Sequence, residues 1–474
     1  MLDEDVVLKA PRYENERLLM FYIPAMLFAP MMFGGEGLVA LALIISLSIL
    51  VPINLATYPR NWIDADEHCG KKFTLCMLPY LILLVVGIFR TDFPMYDWIG
   101  SENSGAYIIN LESKNNIFAT LSLDSGMSIM KIAAMISIAA ASLSIYFITQ
   151  SRFIVRNILA VCGAGVAIFA IFGFISILAG KISTGSSQGF FGENAFSTFS
   201  DASSWSYIAM IWTSALMGSA IYTFQRFKLL RIFFSIRGLS ICIAMIIALS
   251  AIYTAPEKHK ILIYAQLAIF FAVYAFNVLP TAESLKRHLN PELKKIQKYS
   301  KTLTFAPFAI YSALTLLFIF NATSTFLDYK NNAHSPEALK AQAYYSSIAS
   351  DTYSLIAERP ILGWGQESFS NAMAFKQGDD IESTPIESPD SDFFKFLAEN
   401  GYIGFILVAI VPFLFGIRFL TEFKISQSGI IFLTTIISTL LLAFYSTPFQ
   451  TTAVLFSFWI LLFSFFTWED AEII

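Results

Sequence analysis

Two segments late in the sequence bring together residue types that can handle phosphate and protons. One is Glu358-Arg359-Pro360-Ile361-Leu362-Gly363-Trp364-Gly365-Gln366-Glu367-Ser368-Phe369, and the other runs from Asp390 through Asp392 and Glu399 to Gly404. Arg359 carries a planar guanidinium whose fork can grip phosphate oxygens in pairs. It would serve equally well as a helix-end cation that offsets the dipole and pairs with Glu358. Asp390, Asp392 and Glu367 can take up a proton if burial raises their affinity for it, whereas an exposed aspartate is a poor base. The plainer role for Asp390 and Asp392 is that of acids favoured in a helix's first turn. Asp379-Asp380 with Glu382 would suit a divalent cation, but an acidic turn beside Gly378 is the commoner meaning of that pattern, and no metal site is expected.

These residues sit in a chain built for lipid. Of 474 residues, 56% are hydrophobic and 14% charged, against about a quarter charged in a soluble protein. The apolar residues gather in runs long enough to cross a bilayer, near 18–33, 37–55, 73–90, 127–148, 157–180, 205–225, 232–253, 261–280, 303–321, 401–420, 429–446 and 449–467. The expected fold is all-α, a polytopic membrane protein with about 12 transmembrane helices. A net charge of -4, spread over many loops, offers no basic face for nucleic acid. Four cysteines without a CxxC pair argue against structural zinc or a disulfide framework. The charged stretch Met1 to Arg17 is unlike a cleavable signal and reads as a cytoplasmic tail.

Lys and Arg alternate between loops in a way that puts both termini inside: Arg60, Lys71 and Lys72, then Arg152 and Arg156, then Arg226, Lys228 and Arg231, then Lys286 to Lys301, all fall on the inner side. Lys258, His259 and Lys260 form a basic cluster on the outer side, against that tendency. They are candidates for anion binding, unless they are long side chains snorkelling at the interface. Arg90 and Lys181 stand at outer span ends as further candidates or as simple anchors. Two outer segments, 91–126 and 322–400, are long, and the second should carry structure of its own. The chain therefore divides into a bundle at 1–321, the large loop at 322–400 and the last helices at 401–474. In the loop, Ser335-Pro336-Glu337 should start an amphipathic helix and Ser388-Pro389-Asp390 a second one. The loop holds twelve acids and five Lys or Arg, so it would repel a free polyanion.

The Pro-Ile-Leu-Gly-Trp-Gly stretch, the Asp392 to Gly404 run ending in Glu399-Asn400-Gly401-Tyr402-Ile403-Gly404, and the earlier box Ser197-Thr198-Phe199-Ser200-Asp201-Ala202-Ser203 resemble the bacterial O-antigen ligase and O-antigen polymerase superfamily. Where that family has His-Asn, this chain has Asp390-Ser391, so no histidine role carries over. Ser235-Ile236-Arg237-Gly238 mimics a family triplet but falls on the inner side. The resemblance implies a GT-C-like inner-membrane protein whose large loop is periplasmic. It also implies transfer of a glycan from undecaprenyl diphosphate to a hydroxyl on lipid A-core or on another glycan, with membrane lipid as its setting and without a cofactor. Such transfer needs cations to meet charge building on the departing diphosphate and a base for the acceptor's proton. Arg359, Asp390 and Glu367 are then the catalytic candidates. Lys258, His259, Lys260, Arg90, Lys181 and Asp392 are the candidates for binding substrate. A transporter of lipid-linked glycan is the competing class, and it should show ionisable residues at mid-membrane and related halves.

Overall fold

The computed structural model describes residues 10–33, 38–56, 69–101, 104–109, 116–149, 151–184, 196–199, 201–226, 236–254, 260, 263–265, 268, 336–374, 376, 386, 388–422 and 425–471. Helices dominate. They are α1 (Ala10–Met32), α2 (Leu38–Leu47), α3 (Leu50–Ala56), α4 (Cys69–Arg90), α5 (Ser125–Ile148), α6 (Arg152–Thr184), α7 (Ala202–Arg226), α8 (Ile236–Thr254), α9 (Pro336–Glu358), the short α10 (Phe369–Met373), α11 (Asp392–Glu422), α12 (Gln427–Tyr445) and α13 (Thr452–Asp470). The expectation of an all-α chain needs one correction. Strands β1 (Tyr96–Ser101) and β2 (Ser104–Ile109) form an antiparallel hairpin in register from Tyr96 opposite Ile109 to Ser101 opposite Ser104.

Among the described residues, seven stretches are long and apolar enough to cross a membrane: Leu38–Leu55, Lys71–Arg90, Ser125–Ile148, Arg152–Ala179, Asp392–Thr421, Gln427–Tyr445 and Thr452–Asp470. The expected spans near 261–280 and 303–321 lie outside the described residues, apart from 263–265 and 268. The first of the seven is not one helix. Pro52 lacks an N–H and its ring would collide with the carbonyl of Ser48, so the chain turns at Ser48 and Ile49 between α2 and α3. Helix α13 is the central post, packing on α1, α5, α6, α7 and α12, with buried residues along its whole length. Outward faces of the other spans carry bare apolar side chains such as Leu75, Val85, Ile168, Leu178, Phe413, Leu414 and Leu420. Large exposed apolar area of this kind suits a lipid environment.

The ends of the bundle differ. At one end, Arg418 meets Asp470 at 3.6 Å and donates to Tyr146 Oη, while Glu469 accepts from the backbone N–H and the hydroxyl of Ser426. At the other end lie the C-terminus of α4, the N-termini of α5 and α7, and residues 336–374 and 388–392. There a second, smaller core forms from Met95, Ala119, Leu121, Ile348, Leu355, Trp364, Phe369 and Leu397. Helix α9 begins at Pro336, as the Ser-Pro-Glu signal predicts. The second expected start is displaced: Asp390 takes a left-handed φ of 51°, so the helix waits until Asp392, and Ser391 Oγ accepts from the Phe394 N–H at 3.4 Å.

Candidate functional site

The two late segments are halves of one interlock. Helix α11 breaks at Gly401, whose φ of 64° and ψ of -173° only glycine adopts readily. A break orphans carbonyls before it and N–H groups after it, and inside an apolar setting each must find a partner. The stretch 360–365 supplies four of these partners. Ala398 O and Glu399 O accept from Trp364 N and Gly365 N, each at 2.8 Å. Pro360 O and Ile361 O accept from Tyr402 N at 2.8 Å and Ile403 N at 3.1 Å. Gly363, at φ 68°, lies so close to this turn that a Cβ there would sit 2.5 Å from the carbonyl carbon of Glu399.

Two arginines clamp the interlock to the 116–121 segment. Arg90, at the end of α4, donates to Leu362 O at 2.6 Å, Gly363 O at 3.0 Å, Ala119 O at 3.1 Å and Phe118 O at 3.3 Å. Arg359 donates to Ala119 O at 2.6 Å and to Asn116 O, and its guanidinium lies 5.3 Å over the Trp364 ring. Both are buried, at 6% and 8% exposure, and among the described residues neither pairs with a carboxylate. Burial holds the Arg359 guanidinium below the usual arginine range, with the cation satisfied by carbonyl dipoles instead of a counter-ion. Trp364 Nε1 donates to Leu355 O at 2.9 Å, tying the loop to α9.

Below this roof lies a small open cleft, about 30 Å³ of free space, between α4, α5, the loop and α11. Its lining is divided. Thr91, Thr120, Ser122, Ser125, Ser128, Gln366, Asn400 and Arg90 are polar, while Leu83, Val86, Ile132, Leu362, Ile403 and Leu407 are apolar. The polar wall is a connected network: Ser122 Oγ and Ser128 Oγ are 2.6 Å apart, and Ser128 Oγ donates to Gln366 O at 2.7 Å. Asn400 Nδ2 donates to Gln366 Oε1 at 2.9 Å, and Gln366 Nε2 to Glu399 Oε2 at 3.0 Å. Beside it Glu367, another non-glycine at positive φ (61°), forms an ion pair of 2.6 Å with Lys131 of α5. No motif in the sequence marks Lys131, because its partner lies far along the chain.

Asp390 and Asp392 lie at the opposite end of the Asp392–Asn400 turns. Asp390 is exposed and accepts from Tyr345, whose hydroxyl is pushed up chiefly by burial and then by the aspartate's charge. Exposure leaves Asp390 a weak base. Asp392 is buried and accepts from the Phe449 N–H, while its own N–H donates to Ser446 O at 3.1 Å. This joins the helix start to the connection between α12 and α13. Tyr207 reaches the same Ser446 through its hydroxyl, and Asp201 caps α7 by accepting from Ser203 N at 3.0 Å and Ser204 N at 3.3 Å. The early box and the late loop thus meet at one end of the bundle.

Of the remaining candidates, Lys260 is half-buried, and Lys258 and His259 lie outside the described residues. Lys181 falls in the last turns of α6 with its side chain outside the description. The Asp379, Asp380 and Glu382 turn is likewise outside, and among the described residues no three His, Cys, Asp or Glu side chains group as metal ligands. Trp205, Trp364 and Trp459, which could have lined a sugar site, are buried in packing. Comparison of the chain with protein-family models and with curated proteins finds no match to either.

Proposed function

We propose that this chain is a membrane-embedded transferase that moves a glycan from a lipid diphosphate, of the undecaprenyl type, to an acceptor hydroxyl. The observation that carries the reading is the cleft under the interlock. Its lining joins apolar side chains, against which an isoprenoid chain can lie at the mouth, to hydroxyl, amide and guanidinium groups that suit phosphates and sugars. The resemblance of the 359–369 and 392–404 segments adds to it, because the residues that carry the resemblance build the roof of that cleft. In this reading Arg90 faces the diphosphate, Glu367 takes the acceptor's proton, and Arg359 positions the loop through its carbonyl contacts. Asp390 and Asp392 border the acceptor's approach. The large loop is periplasmic and the acceptor is lipid A-core or a growing glycan.

Purified protein in nanodiscs, given an undecaprenyl-diphosphate-linked oligosaccharide, tests this. Release of undecaprenyl diphosphate with lengthened lipid-linked chains supports a polymerase, and release only with lipid A-core supports a ligase. Movement of the intact lipid-linked sugar across the bilayer, with no release under any acceptor, refutes transfer and makes the chain a transporter.

A further inference from the structure

Lys131 is the one charged residue in the 24-residue helix α5. A cation on an otherwise apolar helix of this kind demands a reason. Stability does not supply it, since its partner Glu367 is about a quarter exposed and an ion pair so open to solvent adds little. The chain nevertheless holds Glu367 in the left-handed backbone region, unfavourable for a side chain of this size, at the point where the loop passes the cleft. Lys131 lies between Ser128 and Ile132, and Glu367 follows Gln366; all three of those neighbours line the cleft. Arg90, the cation that lines the cleft, commits its donors to four carbonyls, leaving it little freedom to follow a charge that develops during reaction.

We infer that Lys131 is a catalytic cation of the proposed transfer, the group that meets the negative charge appearing on the departing diphosphate. The inference rests on the transferase reading. In the step, the acceptor oxygen forms a bond to the anomeric carbon as the bond from that carbon to the diphosphate oxygen breaks. The acceptor's proton passes to the Glu367 carboxylate and on to solvent. The electron pair of the broken bond stays on the diphosphate oxygen, beside the Lys131 ammonium. Glu367 holds Lys131 at the cleft before substrate arrives, and the ammonium, with three donors, can bridge carboxylate and phosphate together.

The test uses the full chain in nanodiscs with an undecaprenyl-diphosphate-linked oligosaccharide and an acceptor, comparing wild type, Lys131→Met and Lys131→Arg. Loss of a charge-stabilising group should lower kcat about 10²- to 10³-fold in Lys131→Met, with KM changed less than about threefold because the interaction strengthens only in the transition state. Lys131→Arg should recover part of the rate, and added methylamine should restore part of the Lys131→Met activity saturably. Wild-type turnover in Lys131→Met overturns the inference and leaves the transferase reading standing. So does a loss that neither arginine nor methylamine repairs and that accompanies a lowered melting midpoint, since that marks a structural lysine. A wild-type protein that releases no diphosphate overturns the reading and the inference with it.

Discussion

Replacing Gly401 by alanine tests the interlock most directly. At φ 64° and ψ -173° an alanine is strained by about 1–3 kcal/mol. Its Cβ would also stand 2.3 Å from Ile361 O, 2.5 Å from Ile361 C and 2.7 Å from Gly363 N, all main-chain atoms that cannot rotate away. Overpacking of this sort costs about another 1–3 kcal/mol, so the two effects together predict a loss of about 2–6 kcal/mol. The chain can escape by letting 360–365 lift off, which exposes the N–H groups of Trp364, Gly365, Tyr402 and Ile403. Hydrogen exchange should therefore accelerate at those four amides before the bundle unfolds. Gly416, in the same helix, has nothing within 4 Å of its Cβ position, and alanine there should be neutral or stabilising by up to about 1 kcal/mol. Denaturant unfolding in micelles and exchange mass spectrometry measure both. Gly401→Ala within about 0.5 kcal/mol of wild type, with unchanged exchange, refutes the interlock. An equal penalty at Gly416 would show that the helix is merely sensitive to any added methyl.

Other substitutions separate structural from chemical roles. Arg359→Ala removes its hydrogen bonds to Asn116 O and Ala119 O, which keep Ala119 N and Arg90 as donors, and the stacking on Trp364, so stability should fall by about 1–3 kcal/mol and the proposed turnover with it; lost turnover at unchanged melting and exchange would instead put Arg359 on the substrate. Arg90→Lys keeps the charge but cannot span four carbonyls, and should cost about 1–3 kcal/mol in the same unfolding assay. Ser426→Ala, at the far end, removes the N-cap acceptor of Gly429 N and should cost about 1 kcal/mol while leaving glycan transfer unchanged.

What could be read from the sequence followed the range of the forces involved. The apolar runs, the Ser335-Pro336-Glu337 helix start and the glycine-rich turns are local rules of the backbone, and the chain obeys them at α9 and at Gly363. Asp390 followed a weaker local rule and departed from it, because an aspartate tolerates the left-handed region when its side chain finds a partner, here Tyr345. The hairpin at 96–109 escaped notice because its two six-residue strands include Asp97, Gly100 and Gly105, residues that strands ordinarily avoid. The arginines were misleading in a different way. A guanidinium announces affinity for phosphate, but carbonyl oxygens satisfy it as well, and carbonyls are the same at every residue. Only folding reveals that Asn116, Phe118, Ala119, Leu362 and Gly363 surround Arg90 and Arg359.

This changes what the motif likeness is worth. A helix broken inside an apolar setting must have its freed N–H and carbonyl groups answered, and a loop carrying glycine at the close approach is one economical way to answer them. Gly363, Gly365, Glu399 and Gly401 therefore fit together for reasons of hydrogen bonding whatever reaction occurs nearby. Those positions speak for a loop braced against a broken helix more strongly than for any one chemistry. The residues that hydrogen bonding does not require, Lys131 and Glu367, are a better place to look for the chemistry. They pair with each other next to the cleft-lining Ser128, Ile132 and Gln366, a lone charge on one side and a strained backbone on the other. A variant set built on those two side chains, with the glycines left intact, tests the proposed transfer without disturbing the hydrogen bonds of the break.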